Sequence, residues 1–398
     1  MATHVETGTG GIRFGLAGLG KAGRGIVPSI LKYPNATLSA VADLNEDVLA
    51  AFAQKFTVAT HTNIESLCAS DQVDAVYIAT PTQFHTEHAI LAAENGKHII
   101  VEKPIALTIA DADTMIEAAK QNGVHLIITH SNGYAPPIRK IREIVQSGEL
   151  GRVRMIHNWY FTDWLYRPRM REEMDTALGG GVTLRQGSHQ FDIIRMIGGG
   201  LVRSVRATTG VWDSKRPTEG SHTAFLEFVD GTVATAVYSG YDRFHSTELT
   251  FGIGEGGKLV REQAYGHARR TLNAASDAKT EASLKRDRAN LVPLGGSTEQ
   301  HQPFFGLTVV SCEKGDIRQS PDGLYVYSED AKREVPVPND ESGRDWAIRE
   351  LCEAVIAHRQ PLHDGRWGRA NLEVCLAVLE SARTRKEVYL SHQIAAAD

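Results

Sequence analysis

Apolar residues along the chain follow two rhythms. Over 12–129, β-rich apolar runs at 12–17, 37–43, 75–79, 98–101 and 125–129 alternate with helix-length stretches at 45–56, 82–95 and 109–122. Strands separated by helices cannot pair as hairpins, so the pattern predicts parallel β-α-β units in a doubly wound sheet. Beyond Gly151, longer strand-like runs at 152–161, 202–211, 222–228, 232–239 and 247–252 follow one another, with turn signals such as Asp230-Gly231 between them. That spacing predicts a mostly antiparallel open sheet. Periodic stretches at 341–357 and 369–384 predict two closing helices. The expected fold class is α/β, with a doubly wound parallel sheet in domain 1–131 and an α/β domain at 132–398. The polar, weakly periodic stretch 262–302 reads as an insertion, in the plainest account a surface excursion, otherwise a mobile loop or a subunit contact.

Composition narrows the function. The 398 residues carry 43 Lys+Arg against 48 Asp+Glu. A mildly acidic chain lacks the field that gathers phosphates onto a basic face, so nucleic acid is not an expected partner. Apolar runs fall short of the roughly 20 residues that span a bilayer, so no membrane association is expected. Residues 1–11 hold no basic cluster followed by an apolar core, and the four cysteines show no C-x-x-C pairing. The expectation is a cytoplasmic protein with reduced thiols and no metal site.

The sharpest local signal is Gly18-Leu19-Gly20-Lys21-Ala22-Gly23, between an apolar strand and a helical pattern. The first glycine permits the tight turn, the second lets backbone N–H groups approach a pyrophosphate, and the third lets helix and strand pack closely. Asp43 ends the next strand twenty residues after Gly23, where a carboxylate accepts hydrogen bonds from an adenosine ribose and repels a 2′-phosphate. Leu44 offers no compensating cation. These residues predict a Rossmann domain binding NAD in preference to NADP.

Two further segments close strands of the same sheet, 79–85 with Thr80, Pro81 and His85, and Glu102-Lys103-Pro104. With the glycine loop they resemble the Gfo/Idh/MocA oxidoreductases. The resemblance continues through Ser147-Gly148-Glu149-Leu150-Gly151, Gly179-Gly180-Gly181 ahead of a helix with His189 and Asp192, and Leu379-Glu380-Ser381-Ala382. It implies that Thr80, Pro81, His85, Glu102 and Lys103 border the cofactor, that Lys103 and His189 are catalytic, and that the C-terminal sheet makes homo-oligomers. Hydride transfer from an alcohol needs an acceptor, supplied by the nicotinamide, and a group that takes the hydroxyl proton. Lys103 can bond the oxygen as ammonium or act as base if its pKa is depressed; His189 can bond the same oxygen or relay the proton.

One position departs from the family pattern. Many members carry an aspartate four residues before the histidine, and here that residue is Arg185. Arginine cannot relay protons at neutral pH, but its planar fork binds carboxylates. On a helix, Arg185 and His189 share a face. Upstream, the segment that opens at Tyr166 adds three cations, Arg167, Arg169 and Arg171, beside Trp159, Tyr160, Phe161 and Trp164, which suit a flat ring. The expected substrate-binding set is Arg185, His189, Arg167, Arg169, Tyr166 and Trp164, for a small anionic aromatic-type carboxylate. Segments 163–169, 185–190, 306–313 and 319–323 resemble the phthalate dihydrodiol dehydrogenases within the family. That resemblance implies NAD-dependent oxidation of a cis-4,5-dihydrodiol of phthalate to 4,5-dihydroxyphthalate. The alternatives are a sugar, inositol or amino-sugar dehydrogenase of the same family, and a non-catalytic NAD-binding sensor or repressor.

Overall fold

A computed structural model describes residues 11–260, 266–275, 277–290 and 301–397. Its contacts divide the chain into two compact units.

The first unit holds strands β1 Ile12–Ala17, β2 Ala36–Ala42, β3 Ala59–His61, β4 Ala75–Ile78, β5 His98–Glu102 and β6 Leu126–Thr129, interleaved with helices α1 Lys21–Lys32, α2 Glu46–Ala53, α3 Ile64–Cys68, α4 His85–Glu94 and α5 Ile109–Gln121. The strands form one parallel sheet in the order β3-β2-β1-β4-β5-β6. The order reverses between β1 and β4, which is where ligands lie in doubly wound sheets, outside the carboxyl ends of the strands. Asn45 and Thr108 cap α2 and α5 through side-chain oxygens, whereas α1 starts at Gly20 with no side-chain cap and no acidic residue in its first turn. The backbone N–H groups opening α1 are thus left to an anion.

The second unit holds α6 Pro136–Ser147, β7 Val153–Phe161, α7 Ser188–Gly198, β8 Val202–Gly210, β9 Ser221–Phe228, β10 Val233–Ser239, α8 His267–Asn273, α9 Ala278–Asn290 as far as Lys285, β11 Leu307–Cys312, β12 Gly315–Ser320, β13 Gly323–Ser328, β14 Lys332–Pro336 and β15 Val388–Tyr389. Its nine-stranded sheet runs β14-β13-β12-β11-β7-β10-β9-β8-β15. Only the β7–β10 pair is parallel. Alternation sets its two faces. Ile156, Tyr160, Leu226, Ala236 and Tyr238 are buried, while Met155, Trp159 and Phe225 are exposed.

Two helices follow, α10 Gly343–Ile356 and α11 Gly365–Thr384. Residues 344–369 cluster with the first unit, whereas the sequence pattern placed everything after 132 in the second domain. The cause is apolar. Ile348, Leu351 and Cys352 join Phe14, Ile30 and Tyr77 in one buried cluster, and Ile128 donates to the His363 carbonyl at 3.1 Å.

The run 247–252 is not a strand. Ser246–Leu249 forms a 3₁₀ turn, and Phe251 takes φ 59°, which no extended run accommodates. The insertion is partly helical, as α8 and α9. Residues 261–265, 276 and 291–300 of that neighbourhood, and the opening residues 1–10, lie outside the described residues. Among the described residues no helix is long and apolar enough to cross a membrane.

Candidate active site

In the first unit, every residue assigned to the cofactor lies at or just beyond the carboxyl ends of β1, β2, β4 and β5. Gly18, the turn after β1, has φ 94°, and a Cβ there would sit 2.8 Å from the Ala79 carbonyl oxygen. A Cβ on Gly23 would land on the Gly18 carbonyl oxygen, so only glycine lets α1 pack this closely. At Gly20 an added Cβ would meet nothing within 4 Å. The loop is therefore closed on two sides and open on the third, over the uncapped start of α1, which fits a dinucleotide pyrophosphate. Lys21 and Ala22 are the first residues of that helix. Asp43 Oδ2 accepts from the Leu19 N–H at 2.8 Å and Oδ1 from the Asn45 N–H at 3.0 Å, so the carboxylate is oriented against the glycine loop. Leu44 beside it is 88% exposed. Arg24, not anticipated from the sequence, is buried and donates through Nε to the Leu19 carbonyl at 2.9 Å.

The ends of β4 and β5 are joined by one side chain. His85 is buried, with Nε2 2.9 Å from the Thr80 carbonyl oxygen and Nδ1 3.0 Å from that of Pro104. The ring thereby ties the Thr80-Pro81 turn to the Lys103-Pro104 turn, whose peptide bond is cis. Thr80 Oγ1 lies 2.9 Å from His88 Nδ1, and Glu102 accepts from the Tyr77 hydroxyl at 2.7 Å. Lys103 follows β5 directly and is half-buried.

In the second unit, residues Thr183–Gly187 form a π-turn that runs into α7. The sequence reading placed Arg185 and His189 on one face of an α-helix; here i→i+5 bonding brings the fourth residue just short of a full turn instead of just past it. His189 is buried, with its ring centroid 5.0 Å from that of Phe305, which in turn lies 4.6 Å from the Tyr160 ring. A buried chain fixes the next residue of the helix. Gln190 Nε2 donates to Asn158 Oδ1 at 2.5 Å, and Gln190 Oε1 lies 2.9 Å from His222 Nε2. Burial pushes His222 down to about 3, so the ring is neutral and donates through Nε2.

The arginine segment folds into a charge cluster. Arg167 Nε pairs with Asp163 at 2.6 Å; burial works against its charge, but Asp163 and Glu255 outweigh burial and raise its pKa. Arg169 lies 3.8 Å over the Trp164 ring and donates to the Trp164 carbonyl at 2.9 and 3.1 Å. Burial lowers the Arg169 pKa to about 10, with Arg167 and Arg185 adding to the effect against Glu173. The Tyr166 hydroxyl donates to Asp213 at 2.9 Å. Two acidic residues that sequence reasoning missed hold the cluster. Glu173 accepts from the Met170 N–H at 2.8 Å and pairs with Arg169 and with Lys285 of α9. Glu281, one turn earlier on α9, accepts from the Arg169 N–H at 2.7 Å and pairs with Arg216 at 2.9 Å. Their signal in the sequence was only i, i+4 spacing, of Glu281 to Lys285 and of Arg169 to Glu173.

A family model described as "Oxidoreductase family, NAD-binding Rossmann fold" matches residues 12–130, and one described as "GFO/IDH/MocA C-terminal domain" matches 138–260. A 1-carboxy-3-chloro-3,4-dihydroxycyclohexa-1,5-diene dehydrogenase of Comamonas testosteroni is 37% identical over 380 residues, 94% of this chain and 95% of its own. The chain belongs to the Gfo/Idh/MocA oxidoreductase family. A crystal structure described as a dehydrogenase from Bordetella bronchiseptica RB50 superposes with TM-score 0.90 at 43% identity, covering 96% of this chain and all of its own. An aldose-aldose oxidoreductase from Caulobacter crescentus, at TM-score 0.72 and 22% identity over 96% of this chain and 100% of its own, shares the fold. As a Gfo/Idh/MocA member the protein is a nicotinamide-dependent dehydrogenase, and its first unit is the family's NAD-binding domain.

Proposed function

We propose that the protein oxidises a carboxylated cyclohexadiene cis-diol with NAD, and that the substrate is the cis-4,5-dihydrodiol of phthalate, giving 4,5-dihydroxyphthalate. The observation that carries this reading is the near full-length likeness to a dehydrogenase named for a carboxylated dihydroxycyclohexadiene. The half-buried Arg169 and Arg185 support it, because cations partly withdrawn from water favour a substrate anion. A nicotinamide bound at the glycine loop would supply the hydride acceptor for the carbinol carbon. In this reading Lys103 bonds the carbinol oxygen and lowers its pKa, and His189 takes or relays the proton. The ring ketone then tautomerises to the catechol, and aromatisation draws the oxidation forward. Asp43 selects NAD over NADP by charge repulsion of a 2′-phosphate.

The open face of the second sheet supports self-association. Trp159 stands between Leu307 and Val237 in register, with Met155 and Phe225 on the same face, and all three aromatic or thioether side chains are more than two-fifths exposed. A homo-oligomer in the cytoplasm is the proposed state, checked by light scattering on the wild type and Trp159→Glu.

The deciding experiment is turnover. The protein with NAD is offered phthalate cis-4,5-dihydrodiol, uncharged benzene cis-dihydrodiol and myo-inositol, and NADH is followed by absorbance. Preference for the charged diol supports the proposal. Turnover of the cyclic polyol alone replaces it with the polyol dehydrogenase reading, and no turnover of any alcohol with intact NAD binding favours a sensor.

A further inference from the structure

The helix α9 belongs to the stretch that its sequence marked as a surface excursion, yet it packs its charged side chains against the arginine segment. Glu281 and Lys285 lie one helical turn apart, so they reach the same neighbour together. Glu281 clamps the backbone of Arg169 and the guanidinium of Arg216. Lys285 pairs with Glu173, which also pairs with Arg169. Burial disfavours charge on Glu173, but Arg169, Lys285 and Arg185 outweigh that and hold its carboxyl near 2. Burial likewise lowers Lys285, partly offset by Glu173 and reinforced by Arg169 and Arg185. Arg169 and Lys285 thus share one carboxylate, and the charges of Arg167 and Arg185 act on the same cluster. Like charges held this close out of water repel one another, and a bound anion relieves that repulsion.

We propose that Lys285, presented by the insertion helix, is a specificity residue for the substrate carboxylate, sharing its ammonium between Glu173 and the bound anion. Arg169 and Arg185 form the fixed side of this anion site. Lys285 forms the side that comes from α9, which Glu281 docks. The inference rests on the carboxylated-diol reading and names a side chain that the reading does not need.

The test measures binding of 4,5-dihydroxyphthalate, 3,4-dihydroxybenzoate and catechol to the NADH-loaded protein by calorimetry, for wild type, Lys285→Met, Lys285→Arg and Glu281→Gln. Loss of one charged hydrogen bond predicts that Lys285→Met weakens both acids about 10- to 100-fold while catechol changes less than about twofold. Lys285→Arg, which keeps the charge, should recover most of the loss, and rising salt should narrow the gap between wild type and Lys285→Met. Glu281→Gln keeps the ammonium and should cost the acids less than Lys285→Met does. Equal weakening of all three ligands, or none, overturns the inference while acid binding by wild type leaves the functional reading standing. Wild-type protein that binds catechol no less tightly than the acids overturns both.

Discussion

The Asp43 carboxylate holds the backbone N–H of Leu19 at 2.8 Å. One side chain therefore sets both the shape of the glycine loop and the charge at the place where an adenosine ribose would lie.

Asp43→Ser should lose about 10- to 100-fold in kcat/KM with NAD, the effect of removing hydrogen bonds to a charged group. Adding Leu44→Arg should move preference toward NADP, because the exposed Leu44 position can present a cation without disturbing the core. Steady-state kinetics with both cofactors check this. Wild-type protein that uses NADP as well as NAD would remove the reason for assigning selectivity to Asp43.

Lys103→Met and His189→Asn should each lower kcat about 10²- to 10⁴-fold, as removal of a general acid or base does, with little change in NAD affinity. Melting temperature separates chemistry from folding here. For His189, which is buried against Phe305, the asparagine keeps a polar group of smaller volume, and a large fall in melting temperature would mark it as structural.

Arg185→Ala should weaken a carboxylated diol by about 2 to 5 kcal/mol, the cost of leaving a buried charge unpaired, and leave benzene dihydrodiol nearly unaffected. Arg185→Lys should recover only part, since an ammonium cannot reproduce a two-pronged contact. Equal losses on both diols would make Arg185 a structural residue of the π-turn.

His222 predicts a pH dependence of stability. Its folded value is about 3 against 6.5 in the unfolded chain, so between those values the unfolded state binds the extra proton. The stability it contributes is complete above pH 6.5 and is lost as pH falls toward 3. Melting temperature should decline from pH 7 to pH 4, and His222→Gln, which can still donate to Gln190, should flatten that decline.

Thiol chemistry offers a simpler check. Burial pushes Cys68 and Cys352 up to about 12 and Cys312 to about 11, so the thiolate is scarce at pH 8. Ellman's reagent should label these three slowly in native protein and all four cysteines at once in denaturant. Rapid native labelling of Cys68 would mean that the first unit opens locally around α3.

Five of the six parallel strands were legible in the sequence because helix-length stretches separate them, whereas Ala59–His61 and the helix Ile64–Cys68 are too short to show a period. The glycine loop and Asp43 were legible for a related reason, since backbone approach to a phosphate demands glycine at fixed spacing. The second sheet was harder. Leu307–Cys312 stood out as a motif but not as a strand, its three successors were not read as strands, and Thr247–Gly252 has the composition of a strand yet carries a left-handed Phe251. At the candidate site, Arg169 and Arg185 stood out by type, whereas Glu173, Glu281 and Lys285 did not. Charged residues on a polar helix acquire meaning only from what they pack against, and that partner is more than a hundred residues away for Lys285 and Glu173.

The return of residues 344–369 to the first unit bears on how the chain is made. Ile348, Leu351 and Cys352 fill the same core as Phe14 and Ile30, so the amino-terminal half leaves the ribosome with part of its interior still to be synthesised. The dinucleotide-binding unit completes its packing only after nearly the whole polypeptide has emerged. A nascent chain stalled before residue 344 would expose an apolar surface where α10 belongs, and that surface is where a chaperone would bind it.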